Sequence, residues 1–191
     1  MDKIKLGFAM CGSFCTIPNA LVEMERLASD NYDIYPIFSP IVYDSDTRFT
    51  KSKDLKERVE KITGKKIINT ITEAEPIGPK KMFDVLVVCP CTSNTLAKLT
   101  YGITDTSVTM AVKSHLRNNR PVVLAIATND ALGATAKNIG HLLNTRNYYF
   151  VPFAQDEPFT KERSIIADYS LLEETLLSAL KHEQLKPIIK K

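Results

Sequence analysis

Residues 82–89 read Met-Phe-Asp-Val-Leu-Val-Val-Cys (MFDVLVVC), and this stretch decides the fold. It is short, almost wholly apolar and rich in β-branched side chains. A strand of that kind is buried on both faces, which is the situation in a parallel sheet covered by helices on each side. Pro90 stops the run, and helical spacing resumes over Thr92–Tyr101. A second helical stretch, Ser107–Asn118, leads into another apolar strand, Pro121–Ala127 (PVVLAIA). Working back toward the start, Lys3–Met10 (KIKLGFAM) reads as a buried strand closed by Cys11-Gly12-Ser13. Pro18 then opens a helix whose apolar face is Leu21, Val22, Met24, Leu27 and Ala28, proline being suited to a first helical turn. Asp33–Ser39 (DIYPIFS) returns to strand character, and Pro36 places it near a sheet edge. An irregular stretch, Pro40–Thr50, precedes a charged helix over Ser52–Thr63 with Leu55, Val59 and Ile62 on one side and Gly64 at its end. A Pro/Gly-rich connection, Glu75–Pro79, leads back to residue 82. Beyond the second apolar strand come a helix at Leu132–Leu143, a short strand at Tyr148–Val151 and an amphipathic helix at Leu171–Leu185.

Strands alternating with helices imply right-handed βαβ units. The expected architecture is a flavodoxin-like, doubly wound parallel sheet in a three-layer α/β/α sandwich. It forms one domain over residues 1–191, with 170–191 as a C-terminal helix and a tail in which Lys186, Lys190 and Lys191 fray. A chain of 191 residues suits a single core better than two thin ones. The composition, 44% hydrophobic and 25% charged, argues against a disordered chain or a disulfide-stapled mini-protein. A net charge of +3 is too small and too dispersed to point to nucleic acid. No apolar run approaches the ~20 residues of a membrane span. The first apolar run is read as a core strand and not a signal peptide, so a cytoplasmic location is expected.

Four cysteines fall in two pairs, Cys11 with Cys15 and Cys89 with Cys91, and are expected as thiols. Their spacings are unlike zinc knuckles, so they read as small buried hydrophobes and no metal is expected. Cys91 is the thiol to watch, because a helix N-terminus lowers thiol pKa values. His115, His141 and His182 have no paired-ligand spacing. The sequence contains no G-x-S-x-G elbow, no P-loop and no G-x-G-x-x-G, which removes serine hydrolases, P-loop ATPases and dinucleotide cradles.

In a doubly wound sheet, ligands bind beyond the carboxyl ends of the strands. That rule selects Met10–Thr16, Ser39–Phe49, Cys89–Lys98 and Thr128–Gly133, all rich in hydroxyl, amide or glycine residues. Such segments suit an anion at helix N-termini, and Gly12-Ser13 suits a mononucleotide phosphate. The same Gly-Ser pair also reads as a plain tight turn. In Pro90–Lys98 (PCTSNTLAK), Thr92 or Ser93 serves as an N-cap. Capping uses one or two groups, so the surplus of Thr92, Ser93, Asn94 and Thr95 suggests a site.

Gly12-Ser13, PCTSNTLAK and Gly102-Ile103-Thr104-Asp105 together resemble the flavoprotein family of FMN-binding, cysteine-decarboxylase-type proteins. Thr47-Arg48-Phe49, Arg117–Val123 (RNNRPVV), Thr128–Gly133 (TNDALG) and Pro152–Phe159 (PFAQDEPF) extend the likeness along nearly the whole chain. The resemblance implies FMN as cofactor and a homo-oligomer of trimers or their multiples. By position, Gly12, Ser13 and Ser39 would hold the flavin phosphate or ribityl chain. Thr92, Ser93, Asn94 and Thr95 would line the flavin and substrate edge, and Thr128, Asn129 and Asp130 stand where the decarboxylases carry a Pro-Ala-Met-Asn-type clasp. Pro40–Lys81 holds no histidine, so the decarboxylases' active-site His has no counterpart there.

Within the family the likeness is to members serving dipicolinate formation in sporulating bacteria. It implies oxidation of a dihydrodipicolinate to pyridine-2,6-dicarboxylate beside a nicotinamide-dependent partner, the A subunit of the pair, which would carry NADP. Aromatisation gives up a hydride and a proton, which suits a flavin or nicotinamide acceptor. A dicarboxylate needs cations, and Arg48 is the first candidate, with Lys161 and Ser164 weaker ones on a lid that completes a neighbouring subunit's site. Asn94 and Asp105 are the candidate catalytic residues, and Asp130 the further substrate ligand or proton carrier. The alternative is a non-catalytic accessory protein that keeps the fold and binds substrate or partner.

Overall fold

A computed structural model describes residues 3–190. Five strands form a parallel array in the order β2-β1-β3-β4-β5: β1 (Ile4–Met10), β2 (Tyr32–Phe38), β3 (Val85–Cys91), β4 (Val122–Thr128) and β5 (Tyr148–Phe150). This is the flavodoxin-like strand order. Pro36 lies in the outer strand β2. Its carbonyl accepts the Ile68 N–H at 2.9 Å on the open side, so the missing proline N–H removes no bond to β1.

Helices cover both faces. α1 (Ile17–Ser29), α3 (Ser52–Thr63) and α8 (Leu172–Leu180) form one layer, and α5 (Ser93–Tyr101), α6 (Ser107–Leu116) and α7 (Ala136–Leu143) the other. Each helix buries the stripe its spacing predicts. α1 packs Leu21, Met24 and Leu27 inward, and α3 packs Leu55 and Val59. Gly64 and Gly102 close α3 and α5 in left-handed geometry, φ +66° and +68°, which a glycine adopts without a Cβ clash. The core runs along both sheet faces, with Phe8, Phe38, Phe83 and Phe150 fully buried. Among the described residues, no helix is long and apolar enough to cross a membrane.

Several expectations require correction. The sheet is mixed: β6 (Phe153–Gln155) and β7 (Ile165–Ala167) form an antiparallel hairpin. β7 continues the β4 edge at Ala127 and Thr128 where β5 stops. The stretch after β2 is not wholly irregular, because Pro40 begins a short helix α2 (Pro40–Asp44) whose first turn bonds back to the Ser39 carbonyl. The connection before β3 is also structured. Thr70 and Glu73 form a capping box over α4 (Ile71–Ala74), which passes into a 3₁₀ turn at Glu75–Ile77. α7 starts at Ala136, since Asp130 and Thr135 hold the preceding residues in turns. α8 ends at Leu180, two residues before His182 takes φ +60°.

The tail is not frayed where it is described. Phe153 N–H bonds the Ile188 carbonyl at 3.0 Å, Lys190 N–H bonds Phe153, and the Lys190 ammonium pairs with Asp168. Lys191 lies outside the described residues.

His115 fastens α6 to the sheet, its ring buried and Nε2 3.1 Å from the Pro121 carbonyl oxygen. Burial pushes its pKa down from 6.5 to about 4. The unfolded chain therefore binds a proton that the folded chain refuses. The associated stability is present above pH 6.5 and is lost as pH falls toward 4. Between pH 6.5 and 5, where most carboxylates stay ionised, urea unfolding should show a loss of about 2 kcal/mol. A His115→Gln variant, whatever its absolute stability, should lose that slope.

Candidate functional site

β1 and β3 are neighbours in the sheet, yet the chain leaves β1 toward β2 on one side and leaves β3 toward β4 on the other. Their carboxyl ends therefore diverge and open a crevice, the position where such sheets bind ligands. Two connected hollows occupy it, sharing Gly12 and Thr92 in their walls.

The first hollow, about 440 Å³, lies between the β1 loop, the Ser39–Ile41 corner and the starts of α5 and α6. Gly12, Ser39, Thr92, Asn94 and Thr95 line it. Thr92 caps α5: its Oγ1 accepts the Thr95 N–H at 3.4 Å, and the two hydroxyls lie 3.2 Å apart. Thr95 Oγ1 in turn donates to Cys11 Sγ at 3.2 Å. Capping therefore accounts for two of the four polar residues in the motif. Exposed Asn94 has no such duty. Ser39 is buried, and its Oγ has no hydrogen-bond partner. At Gly12 an added Cβ would sit 3.0 Å from Ile41 Cγ2, so a side chain there would crowd the cradle.

Sequence reasoning did not single out Lys98, Pro40, Ile41 or Thr106 in this hollow. Lys98 follows Asn94 by one helical turn, a spacing that does put both on the same face of α5. Thr106 begins a capping box with Thr109 at the start of α6, another signal visible in the sequence.

The second hollow, about 630 Å³, extends toward β4 and the β6–β7 hairpin. Ser13, Ser93, Thr128, Asn129, Asp130 and Arg48 line it, with Asp156, Lys161 and Ser164 from the hairpin. Asp130 is held rigidly, since Thr128 Oγ1 donates to it at 2.5 Å and Thr135 Oγ1 at 3.0 Å. These bonds, that from Thr128 first, keep its carboxyl below the usual range and hence ionised. Arg48 is presented by a built turn. Thr47 Oγ1 accepts from Phe49 and Thr50 N–H, Asp46 accepts from Ser52 N–H, and the guanidinium lies 4.8 Å over the Phe49 ring. Ser164 Oγ reaches Asn129 Oδ1 at 3.2 Å and Asp156 Oδ2 at 3.4 Å, tying the hairpin to the β4 loop.

Asp105 lines neither hollow. It is exposed beside the first one and pairs with Lys98 Nζ at 2.8 Å, which keeps it ionised. The candidate substrate residues are divided: Asn94 faces the first hollow, Arg48 and Asp130 the second. A separate, more apolar groove of about 510 Å³ runs between α5, α6 and α7 and meets the site only at Lys98. Among the described residues, no three His, Cys, Asp or Glu side chains are grouped so as to hold a metal ion.

Cys91 departs from expectation. β3 does not stop at Pro90 but runs to Cys91, with a shift of register after Val88. The Cys91 side chain therefore enters the core, and burial pushes its thiol well above the ordinary value. Cys89 behaves alike, and Cys11 is pushed up to about 11.

The Flavoprotein family model matches residues 1–170 of this chain. The B subunit of dipicolinate synthase from Bacillus subtilis (strain 168) is 41% identical over 185 residues, covering 97% of this chain and 92% of its own. The crystal structure of the dipicolinate synthase B subunit from Bacillus halodurans C superposes with a TM-score of 0.91 at 38% identity, over 100% and 99% of the two chains. The FMN-dependent cysteine decarboxylase SpaF shares the fold at 21% identity, with a TM-score of 0.63 over 93% and 98%.

The burial pattern has a direct chemical consequence. Cys15 is exposed, whereas Cys11, Cys89 and Cys91 are buried. A thiol-disulfide reagent at pH 8 should titrate one fast thiol in the native protein and all four after denaturation. A Cys15→Ser variant should abolish the fast phase.

Proposed function

The chain belongs to the Flavoprotein family, and from that premise we propose that it is the flavin-carrying B subunit of a dipicolinate synthase. In this reading it acts with the A subunit of dipicolinate synthase, which carries NADP, to oxidise dihydrodipicolinate to pyridine-2,6-dicarboxylate in the mother cell of a sporulating bacterium. The observation that carries the reading is the buried Ser39 hydroxyl, left without a partner in the wall of the hollow that Gly12 also lines, where a Cβ on Gly12 would crowd Ile41. A buried hydroxyl without a partner is costly, and a phosphate oxygen supplies one. The capped start of α6, whose Thr106 lines the hollow, and the Lys98 ammonium add the favourable field an anion needs. These residues fit the phosphate of FMN, with Gly12, Ser13 and Ser39 on the phosphate and ribityl chain. Thr92, Ser93, Thr95, Thr128 and Asn129 would then line the flavin.

Bound flavin supplies the acceptor for the hydride that leaves as the ring becomes aromatic. The protein's part is binding and proton handling. Arg48, held on its turn over Phe49, pairs with a substrate carboxylate. Asn94, exposed and uncommitted to capping, orients the ring between the two hollows. Asp130, ionised and facing the larger hollow, accepts the proton at its carboxylate. Asp105 acts through Lys98, holding that ammonium toward the phosphate hollow. The exposed apolar side chains of Tyr101, the last residue of α5, and Ile103, just beyond the closing Gly102, suit a contact between copies in a trimer or a multiple of trimers.

Titrating the purified chain with FMN and following its visible spectrum tests the reading. Wild type should perturb the flavin bands and bind at one site per chain. Ser39→Ala should weaken binding about tenfold, the cost of one charge-assisted hydrogen bond. Asn94→Ala should weaken flavin or substrate binding without altering the unfolding transition. A wild-type chain that leaves FMN unperturbed would favour the accessory, non-catalytic reading instead.

A further inference from the structure

Resting on the dicarboxylate reading above, we infer that Lys161 is the second carboxylate anchor of the substrate site, carried on the β6–β7 hairpin and acting opposite Arg48. Arg48 and Lys161 are the cationic side chains among the residues lining the larger hollow, and they come from segments far apart in sequence. The hollow also contains the carboxylates of Asp130 and Asp156. A dianion held by Arg48 alone would face net negative charge, so its second carboxylate needs a second cation. Lys98, the other ammonium of the crevice, lines the smaller hollow and is absent from the wall of the larger one.

Lys161 is poised for exchange. Its Nζ lies 3.1 Å from both Asp156 Oδ2 and Glu157 Oε1. Asp156 belongs to the hollow and is fixed by the Ser164 hydroxyl, so it points the ammonium at the ligand space. Glu157 is exposed and lies outside the lining. An exposed pair of that kind is screened by water and weakly held, so a ligand carboxylate replaces Glu157 at little cost. The hairpin that carries Lys161 is anchored at its base. Asp156 N–H bonds the Ser164 carbonyl at 3.1 Å, and Leu132 N–H bonds the Arg163 carbonyl at 3.0 Å. The ammonium therefore swings from a fixed platform.

Calorimetric titration of the full-length, FMN-saturated chain with pyridine-2,6-dicarboxylate and with pyridine-2-carboxylate separates the possibilities. Wild type should prefer the dicarboxylate. Lys161→Met should weaken the dicarboxylate about tenfold while changing the monocarboxylate less than about twofold, because the lost charge-assisted bond serves only the second carboxylate. Glu157→Gln, which frees Lys161 from its competitor, should leave dicarboxylate binding equal or tighter. If Lys161→Met keeps the wild-type preference, or weakens both ligands equally, the inference is overturned while the dicarboxylate reading stands. If wild type shows no preference for the dicarboxylate, that reading falls and the inference with it.

Discussion

The divergence of the chain at the ends of β1 and β3 is the constraint on which the rest of the structure depends. Both strands are buried and adjacent, and their following loops must part to reach helices on opposite faces of the sheet. Two contacts brace the parting. Cys11 N–H bonds the Pro90 carbonyl at 3.2 Å, and the Thr95 hydroxyl bonds Cys11 Sγ. Because these bonds hold the two strand ends together, the loops beyond them are free to be built from small residues. Gly12, Ser13, Thr92 and Ser93 leave room that larger side chains would close.

Local structure and site chemistry draw on the same residues, and the division of labour among them is informative. Thr92 and Thr106 are committed as caps, Thr128 and Thr135 are committed to Asp130, and Thr47 is committed to its turn. Their hydrogen bonds make the loops rigid without a ligand. Ser39 Oγ, the Asn94 amide and the Arg48 guanidinium are not used in such side-chain bonds and can meet a ligand directly. Rigid loops around uncommitted groups are what preorganised binding requires.

How much of this was legible in the sequence depends on the range over which each feature is determined. MFDVLVVC and PVVLAIA declared buried strands because burial on both faces leaves a continuous apolar run. Pro36 marked an edge because its missing donor tolerates few other places. The β6–β7 hairpin and the tail were invisible for the opposite reason. β6 and β7 have no apolar run like the one that gave away β5, since their edges meet each other and the end of β4, and Ile188–Lys190 is ordered by pairing with Phe153, a partner far away in sequence. Cys91 was misjudged by a strand boundary two residues too early, which turned a core side chain into a helix terminus. In the site, hydroxyl-rich segments at strand ends were readable, and Lys98 and Asp156 lay within the stretches PCTSNTLAK and PFAQDEPF, but only the fold shows which hollow each lines.

The charges of the crevice follow a common arrangement. Lys98 is held by Asp105, Lys161 by Asp156 and Glu157, and Arg48 by the face of an aromatic ring. Each cation is thus kept extended toward its hollow without being buried beside a full complement of anions. An unpaired ammonium would rotate freely and surrender side-chain entropy on binding, roughly 2 kcal/mol for a lysine. A deeply buried pair would have to be broken at larger cost. Partners at the solvent rim avoid both extremes, because they order the cation yet yield it to a ligand. The hollow that offers hydroxyls and helix starts suits a phosphate that stays bound, and the hollow rimmed by exchangeable ion pairs suits carboxylates that come and go. On physical grounds, that is the order expected of a resident cofactor and a substrate that turns over.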